Sequence, residues 1–96
     1  PVLFDEAIMK VHGVLNYQLV LDKPSFRDRL HFIVEYNGNP ERGKEEVLES
    51  IHFLEEIRNG LENDLLEPIE VEIKEVSKDF TPKMKPIVDK RQSYDR

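Results

Sequence analysis

Hydrophobic and polar residues recur with two different periods in the first half of this chain. Apolar residues return at helical spacing over 4–11 and predict a short helix that Gly13 ends. Strict alternation over 17–21 and again over 30–36 predicts two strands, each with one buried face. The turn-forming segment 23–28 joins them, so we expect the two strands to form an antiparallel hairpin.

The second half begins with a helix signal. Asn39 is suited to the N-cap position and Pro40 to the first helical position. An apolar stripe with a period near 3.6 residues then runs over 47–65, which predicts one long helix closed by Pro68. Gly60 lies inside that stretch and marks the place where we expect a kink or an early end.

Alternation over 69–73 predicts a third strand, and the periodicity is lost after residue 76. The order is therefore helix, strand, strand, helix, strand and a tail at 77–96. A small antiparallel sheet covered on one face by two helices fits this order. We predict an α+β fold, ferredoxin-like or ACT-like, with residues 1–96 as a single domain because so short a chain buries one core.

Composition narrows the class of protein. Hydrophobic residues make up 39% and charged residues 35%, as in a soluble globular domain. The absence of cysteine excludes a disulfide framework and thiolate zinc sites. No apolar run reaches the roughly 18 residues of a membrane span, and no signal-peptide pattern opens the chain. We expect a cytoplasmic protein. Because the first residue is Pro1 rather than Met, we also expect a chain that is processed or has been cut from something longer.

Charge is distributed unevenly. The net charge of -6 argues against a nucleic-acid partner, which needs a basic face. The tail carries six Lys or Arg against three Asp, a net charge of +3, which leaves residues 1–76 at -9. An acidic body with a basic tail is the main asymmetry of the sequence.

Most titratable groups in the body have an ordinary interpretation. His12, His31 and His52 lack metal-site spacing and are expected at the surface or its boundary. The glutamates of the long helix predict a solvated face: Glu45, Glu46, Glu49, Glu55, Glu56 and Glu62. Four aromatic residues could line a pocket: Tyr17, Phe32, Tyr36 and Phe53. Phe32 shares strand parity with the core positions, so core packing is the favoured interpretation for it, and Tyr17 and Tyr36 lie at predicted strand ends, where an amphipathic ring is common.

The tail offers more distinctive chemistry. Three lysines and one arginine surround the short apolar segment Ile87-Val88, and two prolines restrict the backbone around them. Cations positioned in this way suit a phosphate or carboxylate ligand. The alternative is an ordinary solvated basic terminus. No P-loop, dinucleotide fingerprint or nucleophile motif accompanies the tail.

Both ends of the chain resemble one family. Pro82-Lys83-Met84-Lys85-Pro86-Ile87-Val88-Asp89-Lys90-Arg91 is similar to a closing motif that reads approximately Gly-Lys-x-Arg/Lys-x-Val-Ile-Asp-x-Arg, with Lys83 on its lysine. The opening, from Pro1 through Gly13-Val14 to Tyr17-Gln18-Leu19, resembles Pro-x-x-Ile-Glu-Glu-Val-Leu…Pro-Gly-Val…Tyr-Gln-Leu. These are features of phenylacetate–coenzyme A ligases and their relatives. Pro82 departs from the pattern by replacing the family's glycine.

The resemblance implies a role for this chain in an adenylate-forming ligase. Such an enzyme joins a carboxylate to the α-phosphate of ATP, releases pyrophosphate, and passes the acyl group to an acceptor, commonly coenzyme A. The chain would be its mobile C-terminal domain, inactive alone and partnered by an N-terminal ATP-binding domain of the same polypeptide. Lys83 would be catalytic, and Lys85, Lys90 and Arg91 would meet cofactor phosphates or help dock the tail. Mg²⁺ would be bound outside this domain.

Two other functions fit the same sequence. The first is a free-standing ACT-like module that binds a small molecule or dimerises through sheet edges, which keeps a homodimer open. The second is a structural interaction domain whose acidic helix face docks a basic partner. The sequence leaves the carboxylate substrate and the acceptor open, because the substrate pocket would lie in the other domain.

Overall fold

The computed structural model describes residues 2–75 and 87–89, which form three helices and four strands. In chain order they are α1 (Val2–Met9), β1 (Val14–Asp22), β2 (Arg29–Tyr36), α2 (Pro40–His52), α3 (Glu55–Glu62), β3 (Glu70–Lys74) and β4 (Ile87–Asp89). The strands make one sheet in the order β3-β2-β1-β4. No helix in the described ranges is both long and apolar enough to cross a bilayer.

The hairpin predicted from the alternation is confirmed. β1 and β2 pair antiparallel, from Asp22 opposite Arg29 at the turn to Val14 opposite Tyr36 at the far end. The register shifts between Val14 and Asn16, which leaves Leu15 as the extra residue of a β-bulge. The two strands at the centre of the sheet are therefore neighbours in sequence as well as in space.

The outer strands correct one part of the prediction. The α+β class and the helix-covered sheet are confirmed, but a wholly antiparallel sheet is wrong. β3 pairs parallel with β2, and β4 pairs parallel with β1. The reason for the first pairing is the connection: α2 and α3 carry the chain back along the sheet, so β3 enters in the same direction as β2.

The core lies between the sheet and the three helices. Alternate residues of the central strands point into it, and Phe32, Val34 and Leu19 are fully or almost fully buried. Ile8 of α1 and the paired positions Val47 and Ile51 of α2 close the other side: all three are fully buried. This burial explains why period-two alternation and helical spacing were both readable in the sequence.

Aromatic rings pack beneath α1. The rings of Phe4 and Phe32 lie 5.4 Å apart between centroids, and those of Tyr17 and Phe32 lie 6.4 Å apart. Such tilted pairs add to the stabilisation that burial alone provides. They fasten α1 to the middle of the sheet.

The helical region after Pro40 contains two helices rather than one. The Asn39 cap is confirmed, since its side-chain oxygen accepts from the backbone N–H groups of Glu41 (2.9 Å) and Arg42 (3.2 Å). The break lies at 53–54 rather than at Gly60, and the second helix ends at Glu62, two residues after Gly60 and well before Pro68.

Packing explains the position of that break. Ile51 and Ile57 are both buried, but six residues separate them and place them about 120° apart around a continuous helix. An extended backbone at Leu54 (φ -73°, ψ 130°) resets the phase so that both reach the core. Gly60 lies inside α3 against Leu66.

Three of the chain's four glycines surround the ring of Tyr36. An added Cβ would lie 2.7 Å from a ring carbon at Gly13, 2.9 Å at Gly38 and 2.7 Å at Gly43. Gly13 and Gly38 also have positive φ angles of 100° and 148°, which side chains rarely adopt. The end of the hairpin is thus built around one buried tyrosine.

At the opposite end of the sheet, the loop between β1 and β2 is bonded to the loop between α3 and β3, and we call this set of bonds the loop clasp. The backbone N–H of Asp28 donates to the carbonyl of Leu65 (3.1 Å), and that of Glu67 donates to the carbonyl of Asp28 (2.8 Å). Arg27 adds ion pairs to Asp64 (3.0 Å) and Glu67 (3.4 Å). Both carboxylates raise the pKa of the Arg27 guanidinium, with the hydrogen bond to Asp64 contributing most.

Candidate functional site

The part of the tail that the structure describes is a strand at the edge of the sheet. β4 lies beside β1, with Ile87 opposite Leu19, Val88 opposite Val20 and Asp89 opposite Leu21. The apolar segment expected in the tail is therefore a strand. Its partner β1 lies at the centre of the molecule, because it also pairs with β2 and contributes Leu19 to the core.

The four residues predicted to act on ligands flank this strand in sequence. Lys83 and Lys85 precede it, whereas Lys90 and Arg91 follow it directly. All four lie outside the described residues. Their assignment to catalysis and to cofactor binding stays a prediction.

On the helix side of β1, a tyrosine and a carboxylate form a hydrogen-bonded pair. The hydroxyl of Tyr17 donates to a carboxylate oxygen of Asp5 on α1. Burial, reinforced by the hydrogen bond to Asp5 and by its negative charge, raises the pKa of the Tyr17 phenol well above its usual value. The phenol therefore stays protonated at neutral pH and acts as a donor that joins α1 to β1.

A shallow groove of about 400 Å³ lies beside this contact. Its lining is acidic and amphipathic: Asp5, Glu6, Met9, Asn16 and Tyr17. Its carboxylates would repel a phosphate. The groove therefore lacks the positive charge that nucleotide binding requires, and such charge in this chain is concentrated in the tail.

A second groove, of about 540 Å³, lies between the turn that follows α1 and the second half of α2. It carries both signs of charge and an exposed aromatic ring: Lys10, Val11, His12, Glu46, Glu49, Ser50 and Phe53. The ammonium group of Lys10 lies 5.9 Å from the centre of the Phe53 ring, within the range of a cation–π contact. Ser50 donates its hydroxyl proton to the carbonyl of Ala7 and so closes the floor of the groove.

The titratable groups of the body lie where the sequence predicted. His12 and His52 are exposed, and His31 is half-buried with its Nε2 atom 3.3 Å from Glu72. The glutamates of the two helices are exposed apart from Glu46, which is half-buried beside Arg42. Among the residues that the structure describes, no group of three His, Asp or Glu side chains is placed to hold a metal ion.

The aromatic residues divide between the core and the surface. Phe32 is buried, which confirms core packing for this residue. Tyr17 and Tyr36, interpreted from the sequence as rings at strand ends, are buried as well. Phe53 is 74% exposed at the break between α2 and α3. This exposure was not predicted, because the break between α2 and α3 that turns Phe53 outward was not predicted either.

Comparison with solved structures finds a crystal structure of a domain of phenylacetate-coenzyme A ligase from Bacteroides vulgatus. The likeness covers 95% of this chain and 83% of that one, with a TM-score of 0.54 and 16% sequence identity. No family model and no curated protein matches the chain. At this identity the likeness concerns the fold alone, which the chain shares with that domain of phenylacetate-coenzyme A ligase.

Proposed function

We propose that this chain is the mobile C-terminal domain of an ATP-dependent, AMP-forming carboxylate ligase that uses coenzyme A as its acceptor. The observation that carries the proposal is the agreement of two independent comparisons. The sequence of both chain ends resembles that of phenylacetate–coenzyme A ligases, and the fold resembles a domain of one such enzyme over 95% of this chain. The N-terminal ATP-binding domain of the same polypeptide is the partner that the proposal requires.

The pairing of β4 with β1 gives the proposed catalytic lysine a fixed anchor. Ile87 lies opposite Leu19, which is only 1% exposed, so this point of the tail is joined to a strand that contributes to the core. Lys83 precedes Ile87 by four residues, and an extended chain spans at most about 3.5 Å per residue. The proposed catalytic lysine would therefore be carried on a short segment next to the described strand.

Lys83 would act by electrostatic stabilisation. When a carboxylate attacks the α-phosphate of ATP, negative charge concentrates on the reacting carboxylate and phosphate oxygens. A lysine ammonium held beside them offsets that charge in the transition state. Because the lysine arrives on a separate domain, adenylation would depend on domain closure, which also excludes water from a hydrolysable adenylate.

The remaining cations of the tail would hold phosphates or dock the domain. Lys85 lies two residues after Lys83, and Lys90 and Arg91 directly follow β4. The tail has a net charge of +3 beside a body of -9. A polyphosphate ligand would therefore be repelled by the body and attracted to the tail, which favours binding at the tail.

The test uses the longer polypeptide that the proposal predicts, beginning with its coding sequence upstream of Pro1. In that protein Lys83→Ala should lower ATP–pyrophosphate exchange, measured with a panel of carboxylic acids that includes phenylacetate, by roughly 100-fold or more. The same variant should still make a thioester from supplied acyl-adenylate and coenzyme A. Lys78→Ala is the matched control, since it removes the same charge from the tail outside the motif.

The outcomes are distinct. Loss of exchange with thioester formation retained supports the catalytic role of Lys83. Equal loss of both half-reactions assigns Lys83 to structure, and an equal effect of Lys78→Ala assigns the effect to overall charge. An initiator Met directly before Pro1, with no ATP-binding domain upstream, overturns the proposal altogether.

A further inference from the structure

β3 is an edge strand among the described residues. Its five residues pair with β2 on one side, and no strand of the described ranges lies on the other side. An edge of this kind presents unpaired backbone N–H and C=O groups and is a template for a further strand. Its side chains decide which strand fits.

The residues of β3 alternate between a charged face and an apolar face. Glu70, Glu72 and Lys74 are exposed on the face away from the helices, whereas Val71 is buried and Ile73 half-buried on the core face. Charged residues commonly protect a sheet edge from association. Here, however, the order of the charges is self-complementary when the strand meets a copy of itself running in the opposite direction.

We propose that two copies of this chain associate through β3, in a two-fold antiparallel pairing centred on Glu72. That register places Glu70 opposite Lys74 of the second copy, and the two-fold axis repeats this attractive pair. It also places Val71 opposite Ile73 of the second copy, twice, on the core face. All five residues of β3 take part, and the two sheets become one.

The neighbouring two-fold registers are less favourable. Centring the pair on Val71 sets Glu70 against Glu72 twice and brings Pro68, which has no N–H to donate, into the ladder. Centring it on Ile73 sets Glu72 opposite Lys74 twice, but it also sets the buried Val71 against the charged Glu75 twice on the core face. The register centred on Glu72 keeps apolar residues opposite apolar residues and has one like-charge pair, at its centre.

A contact within each copy reduces the repulsion between the two Glu72 carboxylates at the centre of the pairing. The Oε1 atom of Glu72 lies 3.3 Å from Nε2 of His31, on the neighbouring strand β2. The Glu72 carboxylate is therefore directed along its own sheet toward β2, away from the second copy. This arrangement reduces the repulsion at the two-fold axis.

Sedimentation equilibrium of the chain at low salt tests the association. We expect a concentration-dependent monomer–dimer equilibrium for the wild type. Lys74→Glu turns both attractive pairs into repulsive pairs and should weaken the dimer roughly tenfold or more. The double variant Glu70→Lys/Lys74→Glu restores both pairs in the proposed register and should recover the dimer. Lys44→Glu, which makes the same charge change on the exposed surface of α2, should have little effect.

Cross-linking tests the register itself. The chain contains no cysteine, so Glu72→Cys introduces a single thiol that faces its own copy across the axis. Oxidation should give a disulfide-linked dimer, whereas Glu56→Cys, on the exposed face of α3, should not. A wild-type chain that stays monomeric up to about millimolar concentration overturns the proposal, and so does a charge swap that fails to restore the dimer. These outcomes do not depend on the ligase proposal.

Discussion

Substitution of Gly43 by alanine should destabilise this domain, although the same change at an ordinary helix position is stabilising. Gly43 lies in α2 against the flat side of the Tyr36 ring. An alanine Cβ there would lie 2.7 Å from Cδ2 and 2.8 Å from Cγ of that ring. The ring cannot withdraw easily, because Gly13 and Gly38 contact its outer atoms on other sides.

Two opposing effects set the size of the change. Replacing a helical glycine with alanine gains about 1 kcal/mol from helix propensity. Forcing a methyl group into a filled core costs about 1–3 kcal/mol. We therefore expect Gly43→Ala to lower the free energy of unfolding by up to about 2 kcal/mol. Gly60→Ala is the matched control, because its Cβ would meet the tip and Cγ of the half-buried Leu66, a side chain with more room to move.

Urea denaturation of four proteins separates the two effects: wild type, Gly43→Ala, Tyr36→Leu and the double variant. Replacing the ring with leucine removes the clash, so Gly43→Ala should be neutral or stabilising in the Tyr36→Leu background. If Gly43→Ala has the same effect in both backgrounds, the contact with Tyr36 is not its cause. If it stabilises the wild type, the account of the glycines around Tyr36 is wrong.

Three further predictions concern single contacts. Asn39→Ala removes the N-cap of α2 and should lower the free energy of unfolding by about 1 kcal/mol in urea denaturation. Asn39→Asp should retain most of that stability, and equal losses in the two variants would contradict the cap. Arg27→Ala should open the loop clasp and speed hydrogen exchange at the amide of Glu67, and unchanged exchange would show that the backbone bonds suffice. The raised pKa of Tyr17 means that its contact with Asp5 stabilises the fold fully below about pH 10 and less as pH rises above that value. Tyr17→Phe should therefore lose about 1 kcal/mol at pH 7 and show a weaker fall in stability at alkaline pH; an identical alkaline profile would refute this.

The sequence predicted those elements whose signal is local. The hairpin strands were readable because one face of each is buried, so alternation and burial coincide from Tyr17 to Leu19 and from Leu30 to Val34. The start of α2 was readable because Asn39 and Pro40 supply a cap and a fixed φ angle at adjacent positions. In each case the physical cause lies within a few residues of the element that it determines.

The features that escaped prediction depend on distant residues. The break at 53–54 exists because Ile57 must turn toward a core that β1 and β2 build, and the stripe of apolar residues looks continuous without that constraint. The parallel pairing of β3 depends on the path of α2 and α3. The role of Gly43 depends on Tyr36, seven residues earlier, and Gly13 contributes from the other side of the hairpin.

The position of β4 joins the described part of the tail to a central strand of the sheet. A lysine that must meet a phosphate within hydrogen-bonding distance needs a support that does not move relative to its own domain. β1 is such a support: it pairs with strands on both sides, buries Leu19, and is fastened to α1 through Tyr17 and Asp5. In the proposed ligase, closure of the whole domain would then bring Lys83 to the reacting phosphate. Loosening β1 should therefore impair adenylation even when Lys83 is unchanged, and Tyr17→Phe in the longer polypeptide offers that comparison.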